Sequence, residues 1–376
     1  WGREFRMLRE TPPSGLWIKE SRRGRTSHDR FPGLILGQRL MGAASFGGEN
    51  DVLGLHLGWS GNHVMVADRL DDGRLLVHVG ELFGPGEMIL TSGESYASPW
   101  AYMSRARNLK RLSAAFHDEV LTRLVKYPRE TPRPVTLNTW EGNYFDLDEA
   151  RLRAQAEAAA KLGIERFVLD DGWFRGRHHD RAGLGDWWAD PDKYPDGLGP
   201  LARHVVARGM EFGLWFEPEM VNPDSELHRA HPDWALQLDG RPMLLARNQL
   251  VLDLARPEVS AYLFERLDAL LSELPIAYIK WDHNRDHTTS GRADGTPGWH
   301  VQVQASYDLM QRLLARPPAL EIESCSGGGG RIDFGVLRHA HRVWTSDCID
   351  AVSRETVTST VPVVSCSMVK TYFSPM

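Results

Sequence analysis

Residues 278–285 read Tyr-Ile-Lys-Trp-Asp-His-Asn-Arg, the densest run of chemically capable side chains in the sequence. Alternate residues of a strand share a face, so Lys280, Asp282 and Asn284 are expected to point together. A carboxylate between a cation and an amide is held ionised, as a nucleophile requires. A structural Lys–Asp ion pair at a strand end is the equal alternative. Residues 343–350 read Val-Trp-Thr-Ser-Asp-Cys-Ile-Asp and carry Asp347 at another strand end. Helix capping is as common a use for such an aspartate. Taken together, the two carboxylates suit one chemistry. Cleaving a glycosidic bond takes a nucleophile and a proton donor, roughly 5–5.5 Å apart where configuration is retained.

Other strand ends supply what a sugar would need. Asp170 and Asp171 close the run 168–171, and acceptor-only side chains suit vicinal hydroxyls, each of which can donate. A metal site is the alternative, but no histidine lies at ligand spacing, and His178-His179 reads as a solvated loop pair. Neither metal nor cofactor is expected. Trp140, Tyr144, Trp173, Trp187, Trp188, Trp215, Phe216 and Trp281 crowd the same segments, where rings could stack on the apolar C–H faces of a sugar. Core packing is the commoner role for any one of them. Residues 325–330, Cys-Ser-Gly-Gly-Gly-Gly, allow backbone N–H groups to approach a ligand closely. No Lys-Ser/Thr follows, which argues against a phosphate cradle. Cys325 has no evident histidine partner and reads as a pocket-lining thiol.

The elements that must position these groups come in two rhythms. Residues 1–133 read as β structure, with alternating runs at 53–59, 63–67 and 75–79 separated by Ser60-Gly61 and Asp71-Asp72-Gly73. An antiparallel sandwich that lacks its upstream strands is expected, followed by a basic amphipathic helix over 100–120. From residue 134 short apolar strands alternate with helices, the pattern of βα units on a parallel sheet. Strands are expected at 135–140, 167–171, 212–217, 277–282, 320–324 and 343–347, with 249–253 either strand or loop. Asp146 is expected to cap the first helix, with Glu149 completing a capping box and Gly163 ending it. Pro257 opens a later helix, which stops at Pro275. Every strand ends in Trp, Asp, Glu or Ser, as in a βα barrel whose active site lies at the C-terminal strand ends. An open doubly wound sheet would gather its polar residues at one switch point instead.

Composition narrows the classes further. A net charge of −6 with interspersed signs over 376 residues suggests no polyanion-binding surface, so no nucleic-acid partner is expected. No apolar run reaches the ~20 residues that span a bilayer. Three cysteines are too few for a disulfide framework, which makes the cytoplasm the default expectation. The first residue is Trp1, so the true N-terminus is not visible, and both ends read as cut.

The ordered blocks resemble the α-galactosidases of glycoside hydrolase family 36. The resemblance rests on residues 20–28 and 59–62, then Asn138-Thr139-Trp140-Glu141, residues 169–174 and 214–220, the 280–285 block, the Cys325 glycine run and Ser346-Asp347. It covers about residues 1–353. It implies the C-terminal part of a β-sandwich (a β-supersandwich) over 1–133 with its linker helix, followed by an incomplete (β/α)8 TIM barrel over 134–376. Strands one to six are recognisable, and the last strands and a C-terminal β domain are missing. The resemblance further implies that Asp282 is the nucleophile at the end of strand four and Asp347 the acid/base at the end of strand six. Asp170 and Asp171 would bind the galactose hydroxyls at positions 4 and 6. Lys280, Asn284, Arg247, Cys325 and Gly328 would be further sugar contacts, with Trp140 and Trp215 as aromatic walls. The activity implied is retaining hydrolysis of terminal α-linked galactose from oligosaccharides such as melibiose or raffinose. A homo-oligomer, such as a tetramer, is implied for the full-length protein. Two departures bear on pocket polarity: His283 stands where Met is usual, and Cys348-Ile349 replaces Asn-Thr. Residues 355–376 carry no family block, so either a fragment of a longer protein or a reading frame degraded near the end is expected. Alternatives of the same architecture are an α-N-acetylgalactosaminidase and a raffinose-type galactosyltransferase. A non-catalytic carbohydrate-binding remnant is the alternative from another class.

Overall fold

The computed structural model describes residues 15–37, 51–316 and 320–348. The chain divides into two units, one of residues 1–126, 286–288 and 324–366, the other of 127–285, 289–323 and 367–376. The reading of residues 355–376 lies outside the described residues.

The first unit holds β1 (Leu16–Ser21), β2 (Gly33–Gly37), β3 (Val52–Leu57), β4 (His63–Arg69), β5 (Leu75–Glu81) and β6 (Ala101–Ala106). They form two three-stranded antiparallel sheets, β1-β4-β5 and β2-β3-β6. The turn Asp71-Asp72-Gly73 joins β4 to β5, with Gly73 at φ +84°, where a side chain would be strained. Residues 101–106 correct the expected helix over 100–120. Their exposure alternates with period 2, and they pair with β3 from Leu57↔Ala101 to Val52↔Ala106. Only Leu109–Glu119 is α-helical, opened by Asn108, whose side chain accepts the Arg111 N–H at 2.9 Å. Leu112 and Phe116 of this helix pack against β3 at Gly54, where a Cβ would lie 2.7–2.9 Å from their side chains. They join Val120, Leu124, Ile332, Phe334, Leu337 and Val343 in one hydrophobic cluster.

The second unit is built on parallel strands. β7 (Thr136–Asn138), β8 (Arg166–Leu169), β9 (Glu211–Phe216), β12 (Ile276–Trp281) and β13 (Glu321–Ser324) follow one another in the sheet. The pairs β7–β8, β8–β9 and β9–β12 are parallel, with Lys280 opposite Trp215. Between the strands run the helices Glu149–Lys161, Gly199–Val206, Pro257–Glu273 and Trp299–Leu314. Residues 249–253 resolve into β11 (Leu250–Val251), which pairs antiparallel with β10 (Met220–Val221) and stays outside the parallel sheet. β14 (Arg342–Val343) belongs to the first unit, and the Trp344 N–H just beyond it donates to the Ser324 carbonyl at 2.8 Å. All six expected strands therefore exist; β13 ends at Ser324 as expected, and the other five end one to four residues earlier than the runs that marked them.

Pro257 occupies the first turn of its helix and Gly163 has φ +80°, as expected. The first cap is different. Asp148 accepts the Arg151 N–H at 2.8 Å, while Asp146 pairs with the Arg151 side chain at the surface. Asp148→Ala is therefore expected to lower stability by about 1 kcal/mol in chemical denaturation, whereas Asp146→Ala changes it little.

At the N-terminal ends of β8, β9 and β13 lies a buried ionic cluster. Arg166, fully buried, donates to Glu211 Oε2 at 2.7 Å and to Glu321 Oε2 at 2.6 Å, and its guanidinium lies 4.4 Å from the centre of the Tyr278 ring. Arg129 pairs with Glu211, and Arg133 with Glu321 at 3.6 Å. Polar groups at the opposite, C-terminal ends of β8, β9 and β12 make the candidate site.

Candidate active site

In the second unit, three neighbouring strands deliver carboxylates to one edge of the sheet. β8 leads into Asp170 and Asp171, β9 into Glu217 and β12 into Asp282; all four side chains are buried. The Lys280 ammonium reaches Asp170 Oδ2 at 2.9 Å, and Asn138 Nδ2, from the end of β7, donates to the same oxygen. The expected ion pair thus joins two strands rather than closing within one. Asp171 is held by a two-pronged bond from Arg177, at 2.9 and 2.8 Å. Burial raises the Asp171 pKa above the ordinary carboxylate value; Arg177 opposes this, and Asp170 and Asp282 add to it. Each of its oxygens keeps a second lone pair, so a sugar hydroxyl can still donate.

Asp282 lies one residue beyond the Trp281↔Phe216 pair, and its own N–H donates to the Phe216 carbonyl at 2.8 Å. One carboxylate oxygen accepts the Trp215 indole N–H at 3.2 Å and the other the His283 N–H at 2.8 Å. Donors to the charged form favour a carboxylate ready to attack. Trp215 is 2% exposed and stacks parallel to Phe174 at 6.2 Å, so it orients Asp282 through its N–H while its ring belongs to the core. Trp173, Trp187 and Trp281 are likewise fully buried, and Trp281 donates to Glu219 at 2.9 Å. Trp140 is half-buried against Tyr144 and Phe145, with Tyr144 half exposed.

Glu217 gathers the rest. Its carboxylate accepts the Asn284 backbone N–H at 2.5 Å, the Asn284 side-chain amide at 3.1 Å and the Gln249 amide at 2.9 Å. Arg247 donates to Asn284 Oδ1 at 3.3 Å. Arg247 and Asn248 both adopt left-handed φ, +53° and +60°, which costs non-glycine residues of order 1–3 kcal/mol each. Asn222 Nδ2 accordingly donates to the Asn248 carbonyl at 2.7 Å, and Arg285 to that of Gln249 at 2.5 Å. Burial, then the negative Asp282, pushes the Glu217 carboxyl up to about 7, against the pull of Arg247 and the Asn284 bonds.

The first unit holds Cys325, Gly328 and Asp347. The glycine run is a tight loop in which the Ser326 N–H donates to the Gly328 carbonyl at 2.9 Å, with Gly327 and Gly328 at φ +53° and +90°. Residues 25–28 clamp it: Arg25 to Ser326 Oγ at 2.5 Å, Thr26 Oγ1 to the Gly330 carbonyl at 2.7 Å, and His28 Nε2 to the Gly327 carbonyl at 2.7 Å. Cys325 is buried beside that loop. Asp347 accepts the Trp344 indole N–H at 2.7 Å, which orients its carboxylate; the helix-capping alternative falls on residues outside those described.

Glu217, Arg177, Asn138 and the Arg25–His28 clamp were not singled out from the sequence as site residues. Glu217 carried a usable signal, since it ends a strand as Asp282 and Asp171 do. Arg177 sits in a loop with no periodicity to mark it. His178 comes within 3.5 Å of Asp190, whose oxygens already accept backbone N–H groups of Gly176, Asp192 and Lys193. Among the described residues no helix is long and apolar enough to cross a membrane.

Residues 95–374 match the family described as Melibiase, and residues 1–91 the glycosyl hydrolase family 36 N-terminal domain. A curated α-galactosidase from Escherichia coli is 46% identical over 358 residues, which are 95% of this chain and 50% of that protein. α-Galactosidase AgaA from Geobacillus stearothermophilus is 41% identical over 361 residues, 94% of this chain and 49% of that protein. The AgaA crystal structure superposes with a TM-score of 0.90 at 39% identity, covering 97% of this chain and 51% of AgaA. A doubly substituted AgaA, solved in complex with raffinose, gives the same score at 38% identity, covering 96% and 51%. The chain spans about half the length of the curated relatives it matches. That likeness gives the chain the fold of the family's α-galactosidases, and its parallel sheet is consistent with a partial TIM barrel.

Proposed function

We propose, since the chain belongs to glycoside hydrolase family 36, that it carries the catalytic groups of a retaining α-galactosidase. The substrate class is terminal α-linked galactose on oligosaccharides such as melibiose or raffinose. One observation carries the reading most: Asp282 is buried at a strand's C-terminal end, pinned by two N–H donors, two strands from a pair of carboxylates suited to hydroxyls. Relatives solved with raffinose and stachyose support the substrate class. Residues 1–133 are then the C-terminal part of the family's β-sandwich, to which the two antiparallel sheets belong, with the barrel beginning at residue 134.

In this mechanism, Asp347 enters protonated and donates to the glycosidic oxygen as that bond breaks. Asp282 attacks the anomeric carbon and forms an ester, so its charge is lost as the sugar's positive character is quenched. Asp347, now ionised, takes a proton from water; the water oxygen displaces Asp282, and galactose leaves with its original configuration. Asp170 accepts from a galactose hydroxyl, with Lys280 balancing its charge, and Asp171 accepts from the neighbouring hydroxyl while Arg177 holds it in place. Asn284 and Arg247 supply donors, as do the N–H groups around Gly328, and Cys325 lines the loop that presents them. Trp140 offers a ring face and Trp215 orients Asp282.

The protein is expected to hydrolyse an aryl α-galactoside, with α-galactose as the first anomer seen by proton NMR. No hydrolysis by a folded protein that binds galactose, or β-galactose as the first product, counts against the reading.

A further inference from the structure

We propose that Glu217 is the positioning residue that ties Asn284 and the Arg247–Gln249 turn to the end of β9, and that its charge sets how attack by Asp282 depends on pH. The inference rests on Asp282 being the nucleophile. Its geometric ground is that one fully buried carboxylate accepts three donors from two separate segments. Two of those donors belong to Asn284, which also accepts from Arg247. Without an acceptor at position 217, the Asn284 amide and the strained 247–248 turn lose a common anchor.

The charge argument is separate. Glu217 and Asp282 are the successors of paired residues on neighbouring parallel strands, so the two carboxylates are neighbours. The charged groups that bear on Glu217 are Asp282, which opposes its ionisation, and Arg247 and Arg177, which favour it. Asn284 and Gln249 are neutral. Two interacting carboxyls titrate as a pair, in two macroscopic steps. The upper step follows Glu217, whose carboxyl burial and Asp282 hold near 7. Below that pH the pair carries one negative charge, and above it two. The second stabilises the positive charge that develops on the sugar as Asp282 attacks, so kcat/KM rises through the step.

The test is the pH profile of kcat/KM, which reports groups of the free enzyme. The substrate is a dinitrophenyl α-galactoside, whose leaving group needs no proton and so removes Asp347 from the profile. The unsubstituted protein is expected to show a rise with a midpoint near 7, and Glu217→Gln to abolish it. Glu217→Ala, with no acceptor for Asn284, is expected also to raise KM at least tenfold. Gln249→Ala removes one donor to the ionised form without altering the carboxyl, and moves the midpoint upward. A merely structural glutamate would leave the midpoint where it is. A Glu217→Gln profile that superimposes on that of the unsubstituted protein overturns the inference and leaves the hydrolase reading intact. No turnover by the unsubstituted protein overturns that reading and the inference with it.

Discussion

Asp282→Ala is expected to lower hydrolysis of an aryl α-galactoside by ~10^4-fold or more, the scale seen when a covalent nucleophile is removed. Azide restores turnover, because a small anion fits the space left by the carboxylate and attacks the same carbon. A single displacement on an α-galactoside gives the β-galactosyl azide, so the product's configuration identifies the face on which Asp282 stands. The variant should still bind galactose. Asp170, Lys280 and Asn138 hold one another without help from position 282, and Asp171 keeps its two bonds to Arg177. Full activity of the variant, or an α-configured azide, removes Asp282 from the role of nucleophile.

Arg166→Met is expected to produce the largest loss of stability. Its guanidinium is the shared partner of Glu211 and Glu321, and Glu321 is wholly buried. Breaking a buried ion pair by deleting one member costs about 3–5 kcal/mol, because the remaining Glu321 charge stays out of water and loses its shortest ion pair, with Arg133 lying farther off at 3.6 Å. For a chain of this size that is a fall in melting temperature on the order of 10 °C. The companion experiment replaces Glu321 by Leu in the same molecule. If uncompensated charge is the cause, the double variant regains most of the loss, since an apolar pair of similar volume is often no less stable. A single variant that melts within a degree or two of the parent refutes the assignment.

Local signals fixed much of the fold. The apolar runs located all six strands because a buried parallel strand has little freedom in composition. Pro257 and Gly163 marked helix ends through backbone constraints that no tertiary contact alters. Asp146 and Asp148 were harder to separate, since both can cap. The buried Leu147 between them favours the register in which the helix opens at Glu149. Residues 101–106 were misread because their basic, amphipathic continuation masked a strand whose partner lies some fifty residues upstream. The site divides in the same way. Asp282, Lys280, Asp170 and Asp171 stand in short blocks and could be picked out directly. Glu217 meets Asn284 across 67 residues, and Arg166 meets Glu321 across 155, so neither bond has a local signature.

β8 is only four residues long, yet it has the ionic cluster at Arg166 on one side and Asp170 immediately past the other. At about 3.3 Å per residue, the two charges stand roughly 13 Å apart along the strand. Slippage by one position would turn both side chains to the wrong face and strand two charges at once. The spacing between them therefore works as a ruler: lineages can vary the residues in between, but an insertion or deletion there should be among the rarest changes the sequence can accept.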